Sequence, residues 1–265
     1  MTGQTLQMHF GTKRQRRRRE IFDGGFTDSW RDLCEQRLDW WQVLSDDERA
    51  RLESVALALI ARADWEPANG FEITEEMQVL ISAQAALLTV NLPYDDPYRD
   101  VRALIVHPTT AVMHGEHTQV DGIYSDDPTP ILGEAVLHGP VLVSWDEVQA
   151  DVHHAGDGRN VVFHEFAHKL DMLNGDADGL PPMAPALAER WVPLCTSVYD
   201  AVAEGRAGHV LDAYAGVNPA EFFAVVTEAF FDDPHELAHH HADLYECFAD
   251  YYGQDPATWF EPSAP

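Results

Sequence analysis

The stretch Val161-Val162-Phe163-His164-Glu165-Phe166-Ala167-His168-Lys169-Leu170-Asp171 combines a metal-binding pattern with the apolar pattern of a buried helix. Residues four positions apart on a helix share a face, so His164 and His168 can both bind one zinc ion through imidazole nitrogens. Glu165 lies beside them, where a carboxylate can take a proton from water as general base. A buried group of this kind needs a partner such as a metal. This HExxH segment therefore predicts the active-site helix of a metal-dependent hydrolase.

A second segment, His235-Glu236-Leu237-Ala238-His239, has the same pattern. A catalytic zinc needs a third protein ligand from another element, but the acids that follow, Asp243 and Glu246, are expected on the same helix. A ligand eight positions along a helix lies about 12 Å from the first, too far to share one ion. We therefore predict that the second segment is a solvated helix start without a catalytic role.

A third ligand for the first segment is available after Asn218-Pro219, which have the residue types of a helix start. Glu221 then occupies the third helical position. It can bind the metal, or it can reach back to Asn218 in a capping box. Glu228, two turns later, faces the same way and is the competing ligand. The spacing alone leaves both carboxylates open.

The rest of the chain predicts an α+β domain. Helices are expected at 46–63, 74–88, 157–172, 184–203, 219–231 and 235–252, and short β-branched runs predict strands at 102–106, 111–113 and 141–145. The sheet is expected to have three or four strands. Residues 133–145 fit either an edge strand that pairs with an extended peptide or a plain structural strand.

Charge and cysteine content narrow the class of protein. The 265 residues include 17 Lys and Arg against 45 Asp and Glu, a formal net charge of −28. Six of the basic residues fall within 13–19, so we expect residues 1–20 to be a disordered basic arm and residues 21–260 to be one domain. The acidic body argues against nucleic-acid binding. No apolar run is long enough to span a membrane, and three widely separated cysteines indicate a reduced, cytoplasmic protein.

Several motifs together resemble one family. They are His164–Asp171, Asn174-Gly175-Asp176, Asp212-Ala213-Tyr214-Ala215, the segment Pro219–Val225 and Glu228-Ala229-Phe230-Phe231. In this combination the chain resembles the Mlc titration factor A family of zinc peptidases. That family is in turn distantly similar to the protease domain of anthrax lethal factor. The resemblance extends over roughly residues 35–257.

The resemblance implies a single zincin-like domain with one Zn²⁺ held by His164, His168 and Glu221. Glu165 would be the general base, and Glu228 would support the ligands without binding the metal. The implied function is aminopeptidase-like hydrolysis of peptides in the cytoplasm, with a role in the regulation of sugar uptake. The alternative is a regulatory protein that sequesters a transcriptional repressor, with peptidase activity secondary or absent.

Two further residues near the motifs are assigned supporting roles, each with an alternative. Tyr214, seven residues before Glu221, has a spacing similar to that in the lethal factor protease domain. Its hydroxyl can donate to the negative charge that develops on the substrate oxygen, or it can be a core tyrosine that satisfies a backbone group. Asp171, one turn after His168, can accept the second imidazole N–H of that histidine or simply end the helix.

Overall fold

The computed structural model describes residues 13–68, 70–109, 139–153, 156 and 158–261. The helices of these residues are α1 (Lys13–Gly24), α2 (Asp28–Arg37), α3 (Asp46–Arg62), α4 (Glu75–Leu87), α5 (Trp145–His153), α6 (Val161–Asp171), α7 (Pro185–Ala203), α8 (Pro219–Asp232), α9 (Pro234–His240) and α10 (Ala242–Tyr252). Short 3-10 helices occur at Asp39–Val43, Met172–Asn174, Ala213–Gly216 and Pro256–Thr258. The predicted α+β class is confirmed at this level.

A small parallel sheet accompanies the helices. Within the described residues its strands are β1 (Asp64–Pro67), β2 (Ala103–His107) and β3 (Val141–Ser144), in that order. Trp65 pairs with Leu104, and Ile105 pairs with Leu142. Among the described strands β3 is an outer one, and it packs against α6. The expected strand at 111–113, like residues 133–138 of the expected edge strand, lies outside the described residues.

Helix α4 runs through the centre of the molecule. All of its residues from Met77 to Leu87 are buried, which agrees with the apolar character that the sequence shows on nearly every side. α6 packs against α4 and lies along α8, where the residues from Phe222 to Phe231 are also buried. This packing fixes the relative positions of the two helices that carry the candidate ligands.

Polar caps set where the important helices begin. Ser45 and Glu48 form a capping box at the start of α3, with Ser45 N donating to Glu48 Oε2 at 2.9 Å. At α6, Asn160 Oδ1 accepts a hydrogen bond from Phe163 N at 2.9 Å. At α8, Asn218 Oδ1 accepts one from Glu221 N at 3.0 Å. These side chains satisfy amide groups that have no partner within their own helix.

Residues 1–12 of the expected disordered arm lie outside the described residues, and residues 13–20 lie in α1. α1 packs against α3, and the Arg18 side chain donates to the carbonyl of Arg62. Ile21 packs against the core. Arginine is a good helix former, and this apolar anchor with the contact to α3 gives the basic segment a fixed position. The boundaries proposed for the domain, 21–260, stay a prediction.

The C-terminal helical region and the sheet also differ from expectation. The predicted helix 235–252 is two helices, because His241 adopts φ −137° and ψ 55° between α9 and α10. Strand β1 was not expected, since Asp64-Trp65-Glu66-Pro67 lacks β-branched residues. β1 is defined by its pairing with β2, a non-local contact that local sequence patterns do not encode.

The three cysteines, Cys34, Cys195 and Cys247, are buried free thiols, as their spacing predicted. Among the helices described, none is long and apolar enough to serve as a membrane span.

Candidate metal centre

Helices α6 and α8 bring the three expected ligands together. His164 and His168 lie one turn apart on α6, and their Nε2 atoms are 3.2 Å from each other. Glu221 Oε2 approaches from the first turn of α8, 3.1 Å from His164 Nε2 and 3.4 Å from His168 Nε2. One ligand atom from each side chain lies within 4.8 Å of the other two. All three side chains are partly buried.

The chemistry of these donors fits a zinc ion. Two imidazole nitrogens and one carboxylate oxygen form the usual protein ligand set of a catalytic zinc, which leaves the fourth position for water or substrate. Glu221 Oε2 is buried, yet it accepts no well-aligned hydrogen bond from the described residues. A buried carboxylate oxygen without such a partner is costly, and a bound cation would remove that cost.

The two carboxylates that the sequence left open lie on different sides of His164. Glu221 does not reach back to Asn218 in a capping box; its carboxylate faces His164 and His168. Glu228 lies on the other side of His164, with Oε1 2.7 Å from Nδ1 of that ring. Its Oε2 accepts a hydrogen bond from Asn160 N at 2.8 Å. Glu228 is therefore placed to orient the His164 ring, whose Nε2 points towards Glu221.

Asn160 joins three helices behind the site. Its side chain caps α6 and also donates to Gln84 Oε1 on α4 at 2.8 Å, while its backbone binds Glu228 on α8. Neither Gln84 nor Asn160 was predicted from the sequence. Asn160 is detectable as an N-cap residue immediately before the apolar helix, but the contact with Gln84 depends on the tertiary fold.

The side chains of the site perturb one another electrostatically. Burial alone would raise the pKa of Glu221, but the adjacent His164 and His168 outweigh burial and hold that pKa at about 2. Burial alone would lower the pKa of His164, but the carboxylates of Glu221 and Glu228 outweigh it and raise that pKa to about 10. Burial raises the pKa of Glu165, against the attraction of the two histidines and Lys169. A raised carboxyl pKa favours proton uptake, which is what a general base requires.

Tyr214 lies at the entrance to this group of side chains. It is 50% exposed, which excludes the core position considered for it, and its ring centroid is 6.1 Å from that of His164. Burial of part of the ring, together with the nearby carboxylate of Glu221, raises the pKa of Tyr214. Its hydroxyl therefore remains protonated at neutral pH and can donate a hydrogen bond.

The 3-10 helix that carries Tyr214 is fixed by a cap. Asp212 Oδ1 accepts a hydrogen bond from Tyr214 N at 2.9 Å, and Asp212 Oδ2 accepts one from Arg159 Nη2 at 2.7 Å. Arg159 immediately precedes the Asn160 cap of α6. This chain of contacts links the backbone of Tyr214 to the start of the helix that holds His164 and His168. This role of Arg159 could not be predicted from the sequence, because its partner lies 53 residues away.

Of the two roles considered for Asp171, acceptance of an N–H from His168 is not seen among the described residues. Asp171 Oδ2 accepts a hydrogen bond from Gly179 N at 2.9 Å, and burial raises its pKa to about 7. Gly179 in turn lies against the first residue of α8: a Cβ atom there would come within 2.3 Å of Pro219 O. Asp171 thus holds the loop that supports the start of the helix carrying Glu221.

The second HExxH segment does not resemble the first in three dimensions. His235 turns away from the other two members, and its Nε2 lies 2.9 Å from the carbonyl oxygen of Phe260. His239 is exposed. Asp243, expected on the same helix, lies on α10 beyond the break at His241. Within the described residues, His235 and His239 belong to no group of three side chains that could hold a metal.

Comparison with known proteins identifies the family. A family model described as glucose-regulated metallo-peptidase M90 matches residues 12–253. The uncharacterized protein slr2042 of Synechocystis sp. is 32% identical over 246 residues, which cover 91% of this chain and 89% of that protein. Mlc titration factor A of Edwardsiella ictaluri is 32% identical over 86% of this chain and 87% of its own, and that of Cronobacter sakazakii is 30% identical over 80% and 82%. The chain belongs to the glucose-regulated metallo-peptidase M90 family.

Proposed function

We propose that this protein is a zinc-dependent peptidase with a single catalytic zinc held by His164, His168 and Glu221. The observation that carries the proposal is the convergence of the two Nε2 atoms on a buried carboxylate oxygen from a second helix. Membership in a metallopeptidase family supports the same reaction class. The α+β fold with a HExxH helix is consistent with a zincin-like domain.

Each residue has a distinct part in the proposed hydrolysis. His164, His168 and Glu221 would hold the zinc ion, which would supply Lewis acidity towards the scissile carbonyl and make water more acidic. Glu165 takes a proton from the attacking water and later delivers it to the leaving amine. Tyr214 donates its O–H to the oxygen on which negative charge develops. Glu228 accepts the Nδ1–H of His164, which directs Nε2 towards the metal position.

The proposed substrates are peptides, cleaved in the cytoplasm with an aminopeptidase-like preference. A role in the regulation of sugar uptake is proposed from the family, whose description is glucose-regulated. Nothing in the acidic body favours nucleic acid as a partner, since the whole chain carries a net charge of −28 and repels phosphate.

A second candidate function is the binding of a transcriptional repressor. Its support is the name Mlc titration factor A, which two of the compared relatives carry. The two functions make different demands on the site. Binding of a repressor would survive the loss of the Glu165 carboxylate, whereas hydrolysis would not.

The ligand set is tested by metal analysis of purified variants. We expect His164→Ala and Glu221→Ala to lose the tightly bound zinc, because each removes one of the three proposed protein donors. Glu228→Gln should keep zinc but bind it about 10- to 100-fold more weakly, since it changes only the partner of a ligand. Undiminished zinc affinity in Glu221→Ala, or complete zinc loss in Glu228→Gln alone, would reverse the assignment of the two carboxylates.

A further inference from the structure

A second group of metal-binding side chains lies on the surface, formed by His209, Glu236 and His240. His240 Nε2 is 3.3 Å from Glu236 Oε2, and the ring centroids of His209 and His240 are 5.2 Å apart. One ligand atom of each side chain lies within 4.8 Å of the other two. All three residues are exposed, in contrast to the partly buried site between α6 and α8.

The group is formed by two different parts of the chain. Glu236 and His240 are one turn apart on α9, so they share one face of that helix. His209 comes from the loop between α7 and the 3-10 helix of Tyr214. His209 precedes the second HExxH segment, so it is not among the following acids, Asp243 and Glu246, that the sequence offered as partners.

The loop that carries His209 already has an anchor on the same side of the molecule. His241, at the end of α9, has its Nε2 3.2 Å from the carbonyl oxygen of Ala207. Ala207 lies two residues before His209, and His241 lies one residue after His240. The approach of His209 to α9 is thus supported by a second contact between the same loop and the same helix end.

The donor types define the class of ion. Two imidazoles and a carboxylate suit Zn²⁺, Ni²⁺ or Cu²⁺ rather than Mg²⁺ or Ca²⁺, which prefer oxygen ligands. Ligand atoms about 2 Å from a tetrahedral zinc lie roughly 3.3 Å apart, so exposed side chains separated by up to 4.8 Å need only small rotations. The net charge of −28 also favours the approach of a cation.

We propose that His209, Glu236 and His240 form a second divalent transition-metal site, distinct from the one held by His164, His168 and Glu221. An ion bound there joins α9 to the loop 204–212. That loop ends at Asp212 and leads directly into the 3-10 helix of Tyr214. Occupancy of the second site therefore restrains the backbone next to the candidate active site. The proposal does not depend on peptidase activity.

Calorimetric titration of the chelator-stripped full chain with Zn²⁺ tests the proposal. We expect the parent to bind two zinc ions, one tightly and one more weakly. His209→Ala should weaken the second event at least about tenfold and leave the first unchanged, because it removes one of the three donors. The melting temperature should rise further between one and two equivalents of zinc in the parent, and this second rise should be absent from His209→Ala.

His239→Ala is the matched control, since His239 is exposed in the same histidine-rich segment but is not one of the three donors. It should retain both binding events with unchanged affinity. A parent that binds a single zinc would overturn the proposal. A second binding event that survives His209→Ala unchanged would also overturn it, because His209 would then not be a ligand. So would a second event that His239→Ala weakens as much as His209→Ala does, because the binding would then belong to the histidine-rich segment alone.

Discussion

Tyr214 combines exposure with closeness to the candidate ligands, as expected of a residue that acts on a substrate. Half of its side chain is accessible, and its ring lies beside His164. A core tyrosine would be buried and would pack against apolar neighbours. The sequence offered both interpretations, because the position of a side chain relative to a site 50 residues earlier depends on how α6 and α8 pack.

Tyr214→Phe separates the hydroxyl from the ring. We expect kcat for peptide cleavage to fall by about 100-fold or more, because the substitution removes one donor to the developing negative charge. Zinc content and melting temperature should change little, since the ring keeps its position and the backbone cap by Asp212 is unaffected. A variant that cleaves peptides at the parent rate, or loses activity only in proportion to lost zinc, would contradict this role.

At the scale of elements, the loop between α6 and α7 supports the start of α8. Gly179 has a φ of +74°, its amide donates to Asp171, and its carbonyl accepts a hydrogen bond from Trp191 Nε1 at 3.0 Å. A Cβ atom added to Gly179 would overlap the backbone of Pro219, so a side chain has no room there. Glu221 follows two residues after Pro219, so a displacement of this contact reaches the ligand.

Gly179→Ala should therefore destabilise the protein and weaken zinc binding together. We expect a loss of about 3 kcal/mol in the free energy of unfolding, from the positive φ and the clash with the backbone of Pro219. The matched control is Gly205→Ala, which has a similar φ of +69° but no atom within 4 Å of the added Cβ. Denaturant melts and zinc titrations should show a smaller stability loss and unchanged zinc affinity for the control. Equal effects of the two substitutions would show that the contact with Pro219 is unimportant.

The elements that carry the site could be predicted from sequence because local signals define them. Asn218 and Pro219 predict the start of α8, and the apolar residues that follow give its buried face. α6 was predicted from 157, whereas its Asn160 cap sets its start at Val161. Strand β1 could not be predicted, since only its pairing with β2 makes it a strand. The choice between Glu221 and Glu228 was also open, because both lie on one face of α8 and only the packing against α6 distinguishes them.

At the scale of the whole molecule, the excess of acidic residues affects stability as well as partners. Asp151, on α5, accepts a hydrogen bond from Val161 N at 2.9 Å. Burial raises its pKa to about 7, and repulsion from Asp232, Glu228 and Glu147 adds to the shift, despite that hydrogen bond. The folded protein thus holds this proton more tightly than the unfolded chain, in which the ordinary value is 3.8.

Protonated Asp151 contributes to the free energy of unfolding. This contribution is fully present below pH 3.8 and is lost as the pH rises through about 7. Asp151→Asn removes the ionisation while its amide oxygen can still accept from Val161. We expect this variant to be more stable than the parent at pH 8 by about 1–2 kcal/mol, or a few degrees in Tm, with little difference at pH 4. Melting curves at the two pH values provide the measurement. A difference of the same size at both would contradict the raised pKa.

The proposed peptidase function is tested most directly by the rate of peptide cleavage for the zinc-loaded parent and for Glu165→Gln at equal zinc content. Glu165 is not among the proposed ligands, so the variant should bind zinc as the parent does while lacking a base for the attacking water. We predict that the parent cleaves members of a short-peptide library and that Glu165→Gln is slower by about 100- to 10,000-fold. Cleavage at the parent rate by Glu165→Gln, or no cleavage by zinc-loaded parent across the library, would contradict the assignment.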